Sequence, residues 1–441
     1  MKTGKIFLLD IIFCTLFVTF LIWGVLQIPI KTDLIDPIGQ ALDDFEATDL
    51  VYTALRDDPK PDPNITMVNI GNLDRAGVAR LIDNLNKYHP FVIGIDAFYR
   101  KDKTDFYREK GLINGDSLLE KVFSETENLV LVTKLSKFNE KTGLFDSIET
   151  SHPKFMQHAY GGFANMITSE NEFRVSRKVV PVELCRDSLQ LFFPVKIASI
   201  YNPIKVEKFL KKDNIQKLLA IKKAKNPSES GEDFLETIYY RGNINNFSGE
   251  TDVFGKKNIF NTIDVDEALN ETFDPKKVTG KILLLGYMGE KIKNDKFWDE
   301  DKFYTPLNKQ FAGKSFPDMY GVTVHANVVS MILNETYVSV VDDNLILIIN
   351  LIICLLNVII FSLIFETMKL WWDGISVIIT LAESLILLFI SLYFFEIKRI
   401  QVNFEMSILF LVLLGNFLEL YYEYARPGTL ILVHKIRKKL G

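Results

Sequence analysis

Four apolar runs, each as long as a membrane crossing, bracket a charged middle and constrain this chain more than any other feature. They are Ile6–Ile30, Leu345–Phe365, Ile375–Phe395 and Phe404–Tyr422. A helix needs about 20 apolar residues to span the hydrocarbon core. The first run is broken only by Asp10, Thr15, Thr19 and Gln27 among polar residues. Its basic start at Lys2 and Lys5 fits a signal peptide too, but the run is too long and no small-x-small cleavage pattern follows, so a retained anchor is predicted. The last three are joined by Glu366–Gly374 and Glu396–Asn403, short connections suited to hairpins in lipid, where each helix satisfies its own backbone. Trp371, Trp372, Tyr393, Tyr421 and Tyr422 stand at the ends of runs, where amphipathic rings prefer the interface.

Four crossings put both termini on one side. Beyond Tyr424 the chain carries Arg426, Lys435, Arg437, Lys438 and Lys439 without an acid, which predicts a cytoplasmic tail. Lys2, Lys5 and Lys369 agree, and Lys398 with Arg399 points the other way. The expected division is a first span over 1–30, an extracytoplasmic domain over 31–342, a three-helix bundle over 343–424 and a basic tail over 425–441. Within the tail, Leu430–Val433 followed by basic residues fits either an inner-leaflet contact or a solvated stop.

Composition narrows the function classes. A net charge of -5 offers no broad basic surface, so nucleic acid is not an expected partner. Of three cysteines, Cys14 and Cys354 fall inside apolar runs and leave Cys185 alone, so neither a disulfide nor a cysteine zinc site is expected, and no cofactor or metal is called for. The sequence has no His-Glu-x-x-His, Gly-x-Ser-x-Gly or Cys-x-x-Cys. Gly313-Lys314-Ser315 imitates the end of a phosphate-binding loop, but Asn308 stands where that loop needs glycine. A binding protein rather than an enzyme is the expectation.

Between the apolar runs, short β-rich stretches alternate with helical patterns, the signature of an α/β domain with a mixed, largely parallel sheet. Ile65–Gly71 reads as a strand, Asp74–Tyr88 as an amphipathic helix capped by Asp74, and Phe91–Phe98 as a second strand after Pro90. Asn128–Leu135 reads as a third strand, preceded by a helix over Ser117–Ser124. Strands follow at Glu236–Arg241 and Lys281–Gly286, and a helix over Val322–Leu333 leads almost directly into the second span. A lysine-rich helix over Val206–Lys225, read as a solvated face, ends in a loop at Asn226–Gly231.

These stretches carry a resemblance. Ile65-Thr-Met-Val-Asn-Ile-Gly71, Phe91-Val-Ile-Gly-Ile-Asp96, Gly280-Lys-Ile-Leu-Leu-Leu-Gly286, Tyr304-Thr-Pro-Leu307 and Gly321-Val-Thr-Val-His-Ala-Asn327 stand in the order and spacing of the second type of CHASE domain. That domain is an extracellular sensory module named for its association with cyclases and histidine kinases. The resemblance spans nearly the whole chain, and the layout of one span, ectodomain and three spans fits it. Members often continue into a cytoplasmic kinase or cyclase. Here the sequence ends soon after the fourth run, so sensing with output through a separate protein is expected, in a bacterial cytoplasmic membrane.

Parallel sheets bind ligands beyond the C-terminal ends of their strands, which nominates Asn69, Asp74, Asp96 and the segment after Gly286. Asp96 ends a buried strand, where an acid needs a partner, and reads either as a ligand contact or as the cap of a turn. His325, read in the first turn of its helix, and Asn327 after it fit a ligand contact or a hydrogen-bonded core position. Within the last three apolar runs Asn350, Asn357, Glu383 and Asn416 are the expected intramembrane polar contacts, with Glu383 placed to bond Asn357 or to face a partner's helix. The expected partners are membrane lipid and a protein in the membrane or periplasm, with self-association left open. The competing readings are a scaffold subunit of an envelope complex and, on Glu383 alone, a transporter.

Overall fold

The computed structural model describes residues 2–26, 46–57, 59–139, 141–166, 175–186, 188–211, 235–244, 259–289, 301–308, 317–402 and 404–428. The chain divides into two compact units, one of Ala41–Val338 and one of Met1–Gln40 with Ser339–Gly441.

The chain opens with helix α1, Lys2–Leu26. The α/β unit then runs β1 (Asp62–Asn69), α2 (Arg75–Asn86), β2 (Val92–Ile95), α3 (Gly115–Glu125), β3 (Leu129–Asn139), β4 (Leu144–Glu149), β5 (Tyr160–Phe163), β6 (Val182–Cys185) and β7 (Ser188–Leu191). It continues through α4 (Phe193–Tyr201), α5 (Pro203–Leu210), β8 (Phe260–Ile263), α6 (Val265–Asn270), β9 (Ile282–Gly286) and α7 (Gly321–Leu333). Helices α8 (Asp343–Thr367), α9 (Trp372–Lys398) and α10 (Glu405–Leu420) follow.

The nine strands form one sheet in the order β8-β1-β9-β2-β3-β4-β6-β7, with β5 also paired to β3. From β8 to β3 every pairing is parallel, whereas β3 with β4 and β6 with β7 are antiparallel. Parallel strands are covered on both faces, which is why β2 and β9 are apolar or glycine throughout and fully buried. One face packs Val68, Ile93, Ile95, Leu131, Leu283 and Leu285 against Leu81, Ile82 and Leu85 of α2 and Leu119 and Phe123 of α3. Each such side chain contributes about 1.5–3 kcal/mol of burial. The other face receives α4 and α7 at close range, through glycines in the strands. A Cβ on Gly94 would lie 2.4 Å from Ile197 Cδ1 of α4, and one on Gly286 would lie 2.8 Å from Val322 Cβ of α7.

In the second unit, three helices among the described residues are long and apolar enough to cross a membrane, over Asn344–Thr367, Trp372–Lys398 and Ser407–Gly428. The first predicted span is a helix, and its apolar stretch among the described residues, Asp10–Gly24, is shorter than a crossing. Ile11, Cys14, Val18 and Ile22 line one face of α1 and pack with Cys354, Val358, Phe361 and Phe365 of α8 and Leu414 and Leu418 of α10. These three- and four-residue spacings are the helical stripe expected of a bundle. Ser339–Val340 pairs in parallel with Ile400–Gln401, so the strand entering α8 is held to the connection between α9 and α10.

Several expectations shift. The strand predicted over Glu236–Arg241 is only Glu236–Thr237, paired antiparallel with Lys178–Val179. Beyond it the backbone is bonded by α7 side chains instead: Arg241 N donates to Asn327 Oδ1 at 2.8 Å, and Tyr239 N to Met331 Sδ at 3.3 Å. The second strand stops at Ile95 rather than Phe98. The helix predicted over Val206–Lys225 is seen as Pro203–Leu210, and the rest of it, the loop after it, Gly313–Ser315 and most of the basic tail lie outside the described residues. Because α7 begins at Gly321, His325 is past its first turn, and residues 334–342 separate α7 from α8.

Candidate functional site

Helix α7 is buried on every side, including Thr323, His325, Asn327 and Ser330. Polar groups in such a position need partners within the fold. Asn327 has them: Oδ1 accepts from Arg241 N and from Gly242 N at 3.2 Å, and Nδ2 donates to Gly242 O and Thr323 O, each at 2.9 Å. Ser330 donates to Asp62 Oδ2 at 2.6 Å, and Asn334 Nδ2 donates to the same oxygen at 3.0 Å. The C-terminal half of the helix is thereby tied to the start of β1.

Asn69 performs the same task at the other end of β1. Its Oδ1 accepts from Gly71 N and Met288 N, both at 3.0 Å, while Nδ2 donates to Asp264 Oδ1 at 3.1 Å and Gly289 O at 2.9 Å. All four hydrogen-bonding positions of the amide are filled, and the ends of β1, β8 and β9 are braced together. Asp74 is the exposed N-cap of α2, accepting from Gly77 N at 2.8 Å. Of the five candidates in this unit, three therefore hold the fold.

The other two meet. Asp96 follows the last residue of β2 on the face covered by α7, and its Oδ2 lies 3.7 Å from His325 Nε2. That distance is too long for a hydrogen bond. Phe192 and Phe193 hold the imidazole edge-on, with ring centroids 5.3 and 5.2 Å away. Nδ1 is buried without a partner among the described residues. Burial depresses His325 to about 3, so the ring is neutral. Burial, with the charge of Asp301 adding, pushes Asp96 up to about 7.

Asp301 is the member that sequence reasoning missed. Its carboxylate oxygens lie 3.2 and 3.3 Å from where a Cβ would stand on Gly321, the first residue of α7, and its carbonyl accepts from Gly321 N at 3.0 Å. The residue is exposed, and the partial desolvation of its carboxyl lifts it to about 6. The one signal in the sequence was its place just before Tyr304-Thr-Pro-Leu307. The arrangement sets the Asp96 carboxyl beside the neutral His325 imidazole beyond the C-terminal end of β2, with the Asp301 carboxyl at the start of α7. Among the described residues no three His, Cys, Asp or Glu side chains are placed to hold a metal ion.

In the helical unit Asn350 accepts from Ser407 Oγ and joins α8 to α10. Asn357 Nδ2 bonds its own helix at Ile353 O, 3.0 Å away, and its Oδ1 has no partner among the described residues. Glu383 makes no hydrogen bond among the described residues, to Asn357 or otherwise, and Asn416 is exposed. The strongest polar contact was not foreseen: Arg426 Nη2 reaches Asp10 Oδ2 at 2.9 Å and Glu366 Oε1 at 2.5 Å, and Tyr421 Oη donates to Asp10 Oδ1 at 2.7 Å. The signal was available in two opposite charges, one in the first apolar run and one just past the last.

Nothing among curated proteins or solved structures is similar enough to this chain to count as a match. The CHASE2 domain model matches residues 42–365, from ahead of β1 to the end of α8. With well over half of its length matched, the chain belongs to the CHASE2 domain family of sensory extracellular domains.

Proposed function

We propose that this chain is a membrane-bound sensor whose α/β unit recognises a ligand or partner outside the cytoplasm and relays its state through the helical unit to a separate protein. It acts by binding rather than catalysis. The observation that carries the reading is that the helix bearing His325 is joined to α8 by residues 334–342. The end of that link is in turn hydrogen-bonded to the α9–α10 connection, through Ser339 N to Arg399 O at 2.9 Å and Val341 N to Gln401 O at 3.2 Å. A shift of α7 can reach three helices through this ladder. In the proposed topology α1, α8, α9 and α10 all cross, both termini are cytoplasmic, and the Ser339 and Arg399 ends of the ladder share the outer side. That placement accommodates Lys398 and Arg399 as part of the coupling element.

Hydrogen exchange on the full chain in lipid nanodiscs tests the reading. Fractions of small molecules from the cell's exterior are added, and exchange is followed at the amides of Ser339 and Val341. A sensor changes their protection with some fraction and loses that response in Asp96→Asn. Unmoved amides throughout, with a stoichiometric protein retained in gentle purification, identify a scaffold instead.

A further inference from the structure

Asp10 lies inside the first apolar run, and its side chain is only 5% exposed. An acid in that setting needs partners, and two come from the far end of the chain. Tyr421 Oη donates to Asp10 Oδ1 at 2.7 Å, and Arg426 Nη2 reaches Oδ2 at 2.9 Å. The same guanidinium meets Glu366 Oε1 at 2.5 Å and lies over the Tyr422 ring, 4.5 Å from its centroid. Tyr422 in turn packs on Phe365, with ring centroids 4.8 Å apart. One arginine thus holds α1, α8 and the end of α10 together.

The backbone makes that grip. In an α-helix, residues five apart point about 140° away from each other around the axis, so Tyr421 and Arg426 could not both face Asp10. Beyond α10, Tyr421–Ala425 is instead a π-helical turn, in which Arg426 N donates to Tyr421 O. The wider i→i+5 turn carries Arg426 back over Tyr421, one side chain for each carboxylate oxygen. Such turns are rare and are frequent at functional sites. The α-helical alternative is one residue of slip away.

The members of the contact differ in what they can lose. Arg426 and Glu366 keep 28% and 36% of their side chains exposed, so either can exchange its partner for water. The Asp10 carboxylate has no such recourse, and a buried charge stripped of its partner is strongly unfavourable. Loss of Arg426 therefore drives the Asp10 face of α1 out of the bundle.

We infer that the turn Tyr421–Ala425 and Arg426 form a two-state latch on α1. The π turn clasps Asp10 and docks α1; slip to an α-helical turn swings Arg426 away and releases it. The inference rests on the sensor reading and supplies its output element. α10 begins just after Ile400–Gln401, the strand paired with Ser339–Val340, so a displacement of that ladder travels along α10 to the latch. Release of α1 is the change that a separate protein reads.

Disulfide trapping in the full chain in nanodiscs tests this. Thr19 Oγ1 of α1 lies 3.9 Å from Cys354 Sγ of α8. Thr19→Cys, with Cys14→Ala to remove the neighbouring thiol, therefore reports docked α1 through its rate of oxidation by copper phenanthroline. Arg426→Gln should slow that rate by about tenfold or more, because it strands the Asp10 charge. Adding Asp10→Asn should bring it back to within about threefold of the parent, because no charge is left to strand. Deleting the exposed Glu423 removes the extra residue of the π turn, and should slow trapping as Arg426→Gln does and be rescued in the same way. Unchanged amide protection in β1 and β9 shows that each variant is folded. Trapping at the parent rate in Arg426→Gln or in the deletion overturns the latch, as does failure of Asp10→Asn to rescue either. An exterior fraction that moves Ser339 exchange should also slow trapping, and a fraction that moves Ser339 alone overturns the latch as the output. If no fraction moves Ser339, the sensor reading falls, and the variants still decide the latch.

Discussion

Asn327 and Ser330 in the C-terminal half of α7 are as deeply buried as His325 near its start, yet the two regions satisfy their polar groups to opposite degrees. The former pair bonds backbone and side chains drawn from β1 and from residues 241–242. The latter faces a carboxylate held just beyond bonding distance. A fold that can satisfy one half of a helix this well does not leave the other open for want of donors in the chain. The difference separates residues that hold the domain together from residues whose polar groups the described fold leaves open.

The comparison breaks first at Asn327. Replacing it with Leu leaves Arg241 N, Gly242 N and Gly242 O without their side-chain partner in a dry interior, and should cost about 3–5 kcal/mol. Hydrogen exchange of β1 and β9 amides in the full chain reads that opening free energy. A cost below about 1 kcal/mol would mean that this half of α7 is no more structural than the other.

Asp96→Asn should move the other way. A carboxyl raised to about 7 binds its proton more tightly folded than unfolded, so its contribution is fully present below the unfolded value and is lost as pH rises through 7. The isosteric amide removes that loss, giving a gain on the order of 2–4 kcal/mol at pH 8 and nothing near pH 4. A variant destabilised equally at both pH values would place Asp96 with Asn327 among the residues that hold the fold.

Between these lies the contact that sets α7 on the sheet. Gly286→Ala forces a methyl against Val322, where the nearest side-chain carbon is 2.8 Å away, and should cost about 1–3 kcal/mol. The same substitution should disturb Asp301 at the neighbouring helix start. A stability loss without any change at the site would show that helix position and site are uncoupled.

Sequence reasoning reached the parallel core because its signals are local. β1, β2 and β9 are apolar runs bounded by turn residues, and Asp74 announces α2 as its cap. The antiparallel extension escaped it because Ser188-Leu-Gln-Leu191 is short and only half covered, which leaves no long apolar period to read. The site was half legible. Asn69 and Asp96 give the same signal, a polar residue at the end of a buried strand. What separates them is whether donors and acceptors arrive from far along the chain, as Asp264 and Gly289 do for Asn69. Asp301 was invisible for the same reason, since only the fold brings it to the start of α7.

The smallest effect expected at neutral pH is the most diagnostic one. His325 makes no hydrogen bond among the described residues, and its ring already packs against Phe192 and Phe193, so His325→Phe should change stability by within about 1 kcal/mol at pH 7.5. Its pH dependence should change more. A histidine depressed to about 3 contributes stability that is present above its unfolded value near 6.5 and is lost as pH falls toward 3. The phenylalanine variant lacks that loss and should outlast wild type in exchange measured at pH 4, while the ladder at Ser339 no longer answers any fraction that moves it in wild type. A neutral stability change with the response intact would leave His325 as a packed ring, and the open half of α7 would owe its character to Asp96 alone.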